Sequence, residues 1–379
     1  MRYKTTLEET LAALRTGNSP RGRALIGFDG YIDRLVRLQK SQREPPEYFE
    51  SISDFSAFLQ SYPGKSMDIT VRRTSEKIGG NGPIMAESLA VKDVKTRCVG
   101  AFGYPETIDV FKPLQNICSL VSLEQAAFTL ALEFTDSKLM LGETESFNRI
   151  DWERITSVMG EKDFFSGINE SDIIGFTNWS GMPKSNSILK GLLQFDTNKQ
   201  PLSGRMEGKK KILFIDPADP SCKTEEQFAE FFTLIKQLSG IFNITLGINA
   251  KETVLVYNRF FQCREDVYSD ALAQKLAEEM PVSEIVVHGT DWALALEKGN
   301  ECQRIKGTRI PNPLVLTGAG DNFNAGYCLG KLCSLNRAAC LLLGNISASL
   351  YIQNGFPAGI SGLTAYIENI ILEERYEHL

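Results

Sequence analysis

Short, β-branched apolar runs alternate along most of the chain with stretches whose apolar positions recur at helical spacing. The runs Ala24–Phe28, Thr96–Gly100, Asp172–Phe176, Lys211–Ile215, Ile241–Leu246 and Glu284–His288 read as strands. Pro83–Val91, Lys184–Leu193 and Glu225–Leu238 read as helices between them. The last opens on Thr224 followed by Gln227, a capping box, and then sets Phe228, Phe231, Phe232, Ile235 and Leu238 on one face. Leu7, Leu11 and Leu14 predict a short amphipathic helix at the N-terminus. The closing third, Asn322–Leu332, Arg337–Tyr351 and Leu363–Leu372, is helical in pattern. Strand–helix alternation predicts an α/β domain with a mostly parallel sheet covered on both faces: three layers, αβα, doubly wound.

Two stretches break this rhythm. Leu35–Glu76 is long, polar and aromatic and ends in the strand-like Met67–Thr74. Ala127–Phe134 and Lys138–Leu141 are β-like runs joined by the turn-like Thr135-Asp136-Ser137. Insertions forming a small β-lid are expected there, at 35–75 and 127–141, with 1–34, 76–126 and 142–379 forming the main domain. The chain shows no internal repeat and no low-complexity linker.

Composition narrows the function classes. With 379 residues, 42% hydrophobic and 23% charged, the chain has the balance of a folded soluble protein. A formal charge of -6 argues against a nucleic-acid partner, and the densest basic run, Lys209-Lys210-Lys211, leads straight into an apolar strand. No apolar run is long enough to span a membrane, and the N-terminus lacks the apolar core of a signal peptide, so a cytoplasmic location is expected. Eight scattered cysteines without a C-x-x-C pair fit a reducing compartment rather than zinc or disulfides. There are only two histidines, His288 and His378, so a histidine-based hydrolase has little to work with. Carboxylate chemistry is the better starting point.

Three turns could carry it. Thr317-Gly318-Ala319-Gly320-Asp321 joins the extended Arg309–Leu316 to a helix start. Its glycines allow a close backbone approach, and the helix N-terminus offers free N–H groups to an anion. Asp321 beside that site could accept a proton from an attacking hydroxyl, or could simply cap the helix. Gly79-Gly80-Asn81-Gly82 precedes a helix with Pro83 in its first turn, so Asn81 either points toward a ligand or caps that helix. Gly27-Phe28-Asp29-Gly30-Tyr31-Ile32-Asp33 follows the first strand, where ligands of open α/β sheets bind; its two acids are site residues or solvated turn acids. Gly64-Lys65-Ser66 fails as a Walker A loop because Leu59 stands where the first glycine belongs, and no G-x-G-x-x-G follows a strand.

Taken together, these pieces resemble the ribokinase (PfkB) family of carbohydrate and nucleoside kinases, from about residue 24 to 360. Thr317–Asp321 with Phe323, Ala325 and Gly326 looks like that family's C-terminal signature. The resemblance implies Asp321 as catalytic base and Gly318, Ala319 and Gly320 as an anion hole. Gly79, Gly80 and Asn81 resemble the glycine signature that lines the sugar site, and Asp33 matches the aspartate that binds substrate hydroxyls. Asn249-Ala250-Lys251-Glu252 is similar to the N-x-x-E motif, which implies positioning of Mg²⁺ and phosphates, with Glu252 acting on the metal indirectly. Read without the resemblance, Asn249 is a helix N-cap and Glu252 completes its capping box. Gly289, after the strand ending in Val287-His288, and Asn345 correspond to nucleotide-side positions.

The match departs from the family at three places. Val315 replaces an aspartate that helps hold a monovalent cation, and Trp292-Ala293 stands where a second glycine is usual. The insertion after Leu35 is longer than a minimal lid. The expected activity is phosphoryl transfer from ATP, with Mg²⁺, to a hydroxyl of a sugar-like molecule. A nucleoside kinase, an ADP-dependent sugar kinase and a non-catalytic sugar sensor are the alternatives. For a nucleoside, Phe49, Phe55 and Tyr62 offer an aromatic platform or else the core of the insertion; for a phosphorylated sugar, Arg72, Arg73 and Lys77 offer charge. A homodimer paired through its lids is compatible with the resemblance.

Overall fold

The computed structural model describes residues 2–41, 44–195, 210–315 and 317–373. Lys209, Leu316 and His378 lie outside the described residues. A nine-stranded sheet forms the spine, in the order Gln303–Lys306, Trp292–Leu296, Glu284–His288, Asn243–Asn249, Ile212–Asp216, Ile173–Thr177, Arg23–Gly27, Lys95–Ala101, Ser119–Glu124. The strands from Glu284–His288 to Ser119–Glu124 are all parallel, and an antiparallel hairpin closes the other edge.

The apolar runs are continuous because both faces of this sheet are covered. Leu25, Ile174, Leu213 and Ile215 enter one core, while Ala24, Ile26, Ile173 and Phe214 enter another on the opposite face. Adjacent residues thus fall into different cores, as a pleated strand buried on both sides requires. The N-terminal helix, Arg2–Thr16, packs Leu7, Leu11 and Leu14 into the second core. Helix Glu225–Leu238 runs as its pattern predicts, with both arms of the Thr224–Gln227 capping box formed.

A second, smaller sheet orders Glu47–Tyr48, Tyr31–Ser41, Ala127–Glu133 and Lys138–Glu143, with Thr70–Gly79 also paired to Tyr31–Ser41. Its strands take in residues 31–34, 76–79 and 142–143, which the sequence pattern assigns to the main body. The strand-like Met67–Thr74 is instead Thr70–Gly79, and Tyr31–Ser41 has no counterpart among the expected strands. Val36, Leu38, Phe49 and Leu132 form this sheet's own small core. The extended Arg309–Leu316 holds no strand over its described residues, 309–315.

This topology gathers the candidate residues. Asp29, Asn178, Asp216, Asn249 and His288 all stand at or just beyond the carboxyl ends of parallel strands. Helices Asn81–Ala90 and Ala319–Leu332 begin at the same end, with their N-termini turned toward it.

Candidate active site

Asp29 anchors the site. Its carboxylate is fully buried and accepts from the backbone N–H groups of Asn81 (2.9 Å) and Gly82 (2.7 Å) and from Asn178 Nδ2 (2.9 Å). An acidic group at a helix N-terminus satisfies free donors and complements the dipole. Burial nonetheless pushes its pKa up against these hydrogen bonds. Asp29 is therefore no solvated turn acid; it fixes where the helix Asn81–Ala90 starts. Gly80 turns the chain into that helix at φ 96, a conformation that favours glycine.

Asn81 is not a side-chain cap; Gly80 occupies the cap position and Asn81 is the first helical residue. Its amide turns toward the carboxylate of Asp321, where it favours the charged form. Asp33, on Tyr31–Ser41, is buried and accepts from the Thr129 side chain, and burial raises its pKa. Gly79 passes so close to Asp33 that a β-carbon there would strike its carboxylate.

The turn before the last third behaves as its residues demand. Gly318 caps the helix Ala319–Leu332 at φ 96, and a β-carbon there would fall 2.8 Å from the Tyr351 hydroxyl. Asp321 lies inside the first helical turn rather than at the cap. It is 7% exposed, and its Oδ1 has no hydrogen-bond partner. Burial, then the charges of Asp216 and Asp29, push its pKa well above the usual carboxylate range. The turn crosses His288, whose Cε1 would lie 3.3 Å from a β-carbon on Gly320. The His288 ring sits 5.0 Å from that of Phe323, and burial pushes its pKa down to about 4. His288 is thus a neutral floor beneath the glycine turn.

Asn249 and Glu252 form both halves of a capping box, with Glu252 N donating to Asn249 Oδ1 and Asn249 N to Glu252 Oε2, each at 2.9 Å. The capping box is formed, and both residues also line a cavity. Burial and the charge of Asp216 raise Glu252 to about 8. Asp216 is the acid that the sequence reading missed. It accepts from Ala218 N and Asn324 Nδ2, both at 2.8 Å, and burial and Asp29 push it up to about 6. An acid ending a central parallel strand was the available signal.

Two adjoining cavities meet here. The first, of about 400 Å³, is walled by Asp33, Gly80, Asn81, Glu252, Asp321 and, from the small sheet, Tyr31, Thr129 and Met140. The second, of about 600 Å³, holds Gly289, Asn345, Ala319, Lys251 and Trp292. Asn249, His288 and Gly320 line both, so the glycine turn is a shared wall. Phe49, Phe55 and Tyr62 line neither cavity; Phe49 and Phe55 pack ring to ring at 5.3 Å in the small sheet's core, and Tyr62 meets Phe58 at 5.0 Å. Arg72, Arg73 and Lys77 are not among the lining residues either.

A sequence model of the prokaryotic ketohexokinase family matches residues 8–370. The chain belongs to that family. It is a carbohydrate kinase, transferring phosphate to a sugar hydroxyl. A curated ketohexokinase from Haloferax volcanii is 27% identical over 354 residues, covering 91% of this chain and 90% of the relative. Among solved structures, an adenosine kinase from Sinorhizobium meliloti superposes with a TM-score of 0.61 at 16% identity, covering 93% of this chain and 99% of its own. A ribokinase from Cryptococcus neoformans in complex with ADP gives 0.60 at 15% identity, covering 92% of this chain and 99% of its own. These likenesses establish the ribokinase fold, with the small sheet as its lid. Among the described residues of this kinase, no helix is long and apolar enough to cross a membrane.

Proposed function

We propose that this kinase transfers the γ-phosphate of ATP to a hydroxyl of a ketohexose. The observation that carries this reading is the position of Asp321. Its buried, unpartnered carboxylate oxygen stands at the start of a helix, on the sugar side of the wall between the two cavities. The ketohexose occupies the 400 Å³ cavity, its hydroxyls held by Asp33 and Asn81. The nucleotide occupies the 600 Å³ cavity, with its phosphates toward Asn249 and Gly320. Asp321 takes the proton of the attacking hydroxyl as that oxygen bonds to the γ-phosphorus and the bond to the ADP oxygen breaks. Burial and the neighbouring carboxylates push the pKa of Asp321 up, so it serves as base only when bound cation and donor groups hold it in the charged form. The backbone amides of Gly318, Ala319 and Gly320 face the transferring phosphoryl group, where a helix N-terminus favours negative charge.

Mg²⁺ fits this site as a shared guest. Among the described residues no three His, Cys, Asp or Glu side chains form a metal-holding group on their own. Yet Asp216 and Glu252 are both forced toward protonation by burial and by neighbouring carboxylates, a strain that a divalent cation would relieve. The ion would be held mainly by the donor's phosphates, with Glu252 acting through water; it would neutralise phosphate charge during transfer.

A nucleoside acceptor is disfavoured because Phe49 and Phe55, proposed as its platform, pack in the lid core, and Tyr62 lines neither cavity. Turnover with ketohexoses, aldohexoses, pentoses and nucleosides, each with ATP and ADP, tests acceptor and donor together. Asp321→Asn is expected to lower kcat by about 10²–10⁴-fold while leaving the ketohexose KM nearly unchanged. A variant retaining a tenth of wild-type kcat would show that Asp321 is not the base.

A further inference from the structure

The two peptide groups that flank Gly318 are held unequally. A trans peptide is planar, with its C=O and N–H pointing opposite ways, so whatever holds the carbonyl also aims the N–H behind it. The Gly318 carbonyl is held twice by Asn322, whose backbone N–H donates at 3.1 Å and whose Nδ2 donates at 2.9 Å. Those bonds fix the Ala319 N–H together with the opening of helix Ala319–Leu332. The peptide between Thr317 and Gly318 lies before the helix. Among the described residues no backbone N–H donates to the Thr317 carbonyl; the Tyr351 hydroxyl does, at 3.1 Å. Tyr351 comes from another element, helix Arg337–Asn354, is 6% exposed and lines neither cavity, so the carbonyl it holds is turned away from both. Burial, then the charges of Asp321, Glu87 and Asp33, push its pKa up to about 12, and the hydroxyl keeps its proton to donate. The turn is wedged tightly there: a β-carbon on Gly318 would fall 2.8 Å from the Tyr351 hydroxyl and 3.3 Å from Ile84 Cδ1.

We propose that Tyr351 is a positioning residue for phosphoryl transfer: by holding the Thr317 carbonyl, its hydroxyl keeps the Gly318 N–H aimed at the transferring phosphoryl group. The inference rests on the anion-hole reading of this turn. Glycine tolerates φ of either sign, so nothing in Gly318 itself stops the Thr317–Gly318 peptide from swinging over. A swung peptide would present a carbonyl oxygen where its N–H now stands, replacing attraction for the phosphoryl charge with repulsion. Donors that stabilise a transition state are effective because they are already in place when the charge develops. The tyrosine supplies that fixity from outside the turn, at the one flanking peptide that the helix does not hold.

Tyr351→Phe deletes the hydroxyl and keeps the ring. Its kcat is expected to fall by about tenfold, less than the roughly 10²–10³-fold that loss of a whole donor costs, with the KM values for ketohexose and ATP within about twofold of wild type. The second readout is the Kd of ADP for the full chain in the presence of ketohexose and Mg²⁺, with and without aluminium fluoride, a mimic of the phosphoryl group in transfer. In wild type the fluoride complex tightens ADP; in Tyr351→Phe that tightening shrinks by about the same tenfold while ADP alone binds as before. A tyrosine that serves stability alone would lower the melting temperature, or raise both KM values, and leave kcat unchanged. That pattern, a kcat within about twofold of wild type, or a lower kcat with the tightening intact, overturns the proposal and leaves Asp321 and the kinase reading standing. A wild-type chain that turns over ketohexose but gains no ADP affinity from aluminium fluoride would overturn the anion-hole reading and the proposal with it.

Discussion

Burial sets the charge of the ionisable groups around the two cavities more than their partners do. Asp29, Asp33, Asp216, Glu252 and Asp321 are all pushed up, and His288 down, with desolvation the largest cause in each case. The same physics operates away from the site at Lys92, whose side chain is fully buried. Its ammonium donates to Ser88 O (3.0 Å) and Ser88 Oγ (2.7 Å), yet burial pushes its pKa down to about 7. The unfolded chain then holds more protons than the native one from about pH 7 up to the ordinary lysine value near 10.5, so this group's contribution to stability improves as pH rises through that window. Below pH 7 both states are charged and the full cost of burying the ammonium remains. Lys92→Met should therefore be more stable than wild type near pH 7, by on the order of 3 kcal/mol, with the gap shrinking toward pH 10. Denaturant unfolding of both proteins at pH 7 and 9.5 checks this, and a gap independent of pH would refute it. At this scale the sequence was readable where chemistry is local. Asp321 stands out because a glycine turn and a helix start surround it within a few residues. Asp216 does not, because its significance depends on Asn324 and Asp321, more than a hundred residues away.

At the scale of elements, the helix Asn81–Ala90 is placed by a residue that is not part of it. Asp29 receives three donors, two of them the first free N–H groups of that helix. Asp29→Asn keeps the shape but offers only one acceptor oxygen, leaving at least one buried donor unsatisfied. A loss of about 1–3 kcal/mol in urea unfolding is expected. Because the same helix start carries Gly80 and Asn81 into the sugar cavity, the ketohexose KM should rise more than the ATP KM. Equal shifts in both constants would mean that Asp29 serves stability alone. The parallel strands were legible because burial on both faces writes them as unbroken apolar runs; Glu284–His288 and Glu225–Leu238 have the bounds their patterns predict. Thr70–Gly79 was only partly legible, since most of its side chains are exposed on both faces and leave no two-residue alternation to read. Tyr31–Ser41 was hidden for another reason. It sets Asp33 and Arg34 side by side between apolar pairs, which breaks the two-residue alternation, and its pairing with Ala127–Glu133 is parallel and remote in sequence.

At the scale of the molecule, the proposed reading gives each substrate its own cavity, and the small sheet borders only one of the two. The small sheet sends Tyr31, Asp33, Thr129 and Met140 into the 400 Å³ cavity and none of its residues into the 600 Å³ cavity. The insertions were recognisable as β-structure, but which cavity they would close could be settled only by pairing strands that lie far apart in the chain. This division makes a prediction about coupling. Lys138–Glu143 is an edge strand exposed along its whole length, and Met140 is 43% exposed although it borders the sugar cavity. Such a strand opens easily and its amides exchange fast in the free protein. A bound ketohexose gives Met140 and Asp33 a common partner with Asn81 on the main domain, so it ties the two sheets together. A nucleotide bound in the 600 Å³ cavity, whose lining comes only from the main domain, would not. In hydrogen–deuterium exchange, ketohexose alone should slow 138–143 and 127–133, whereas ADP alone should slow 249–252 and 345–352 and leave the small sheet unchanged. Protection of 138–143 by ADP without sugar would place the nucleotide against the small sheet and contradict the assignment of the two cavities.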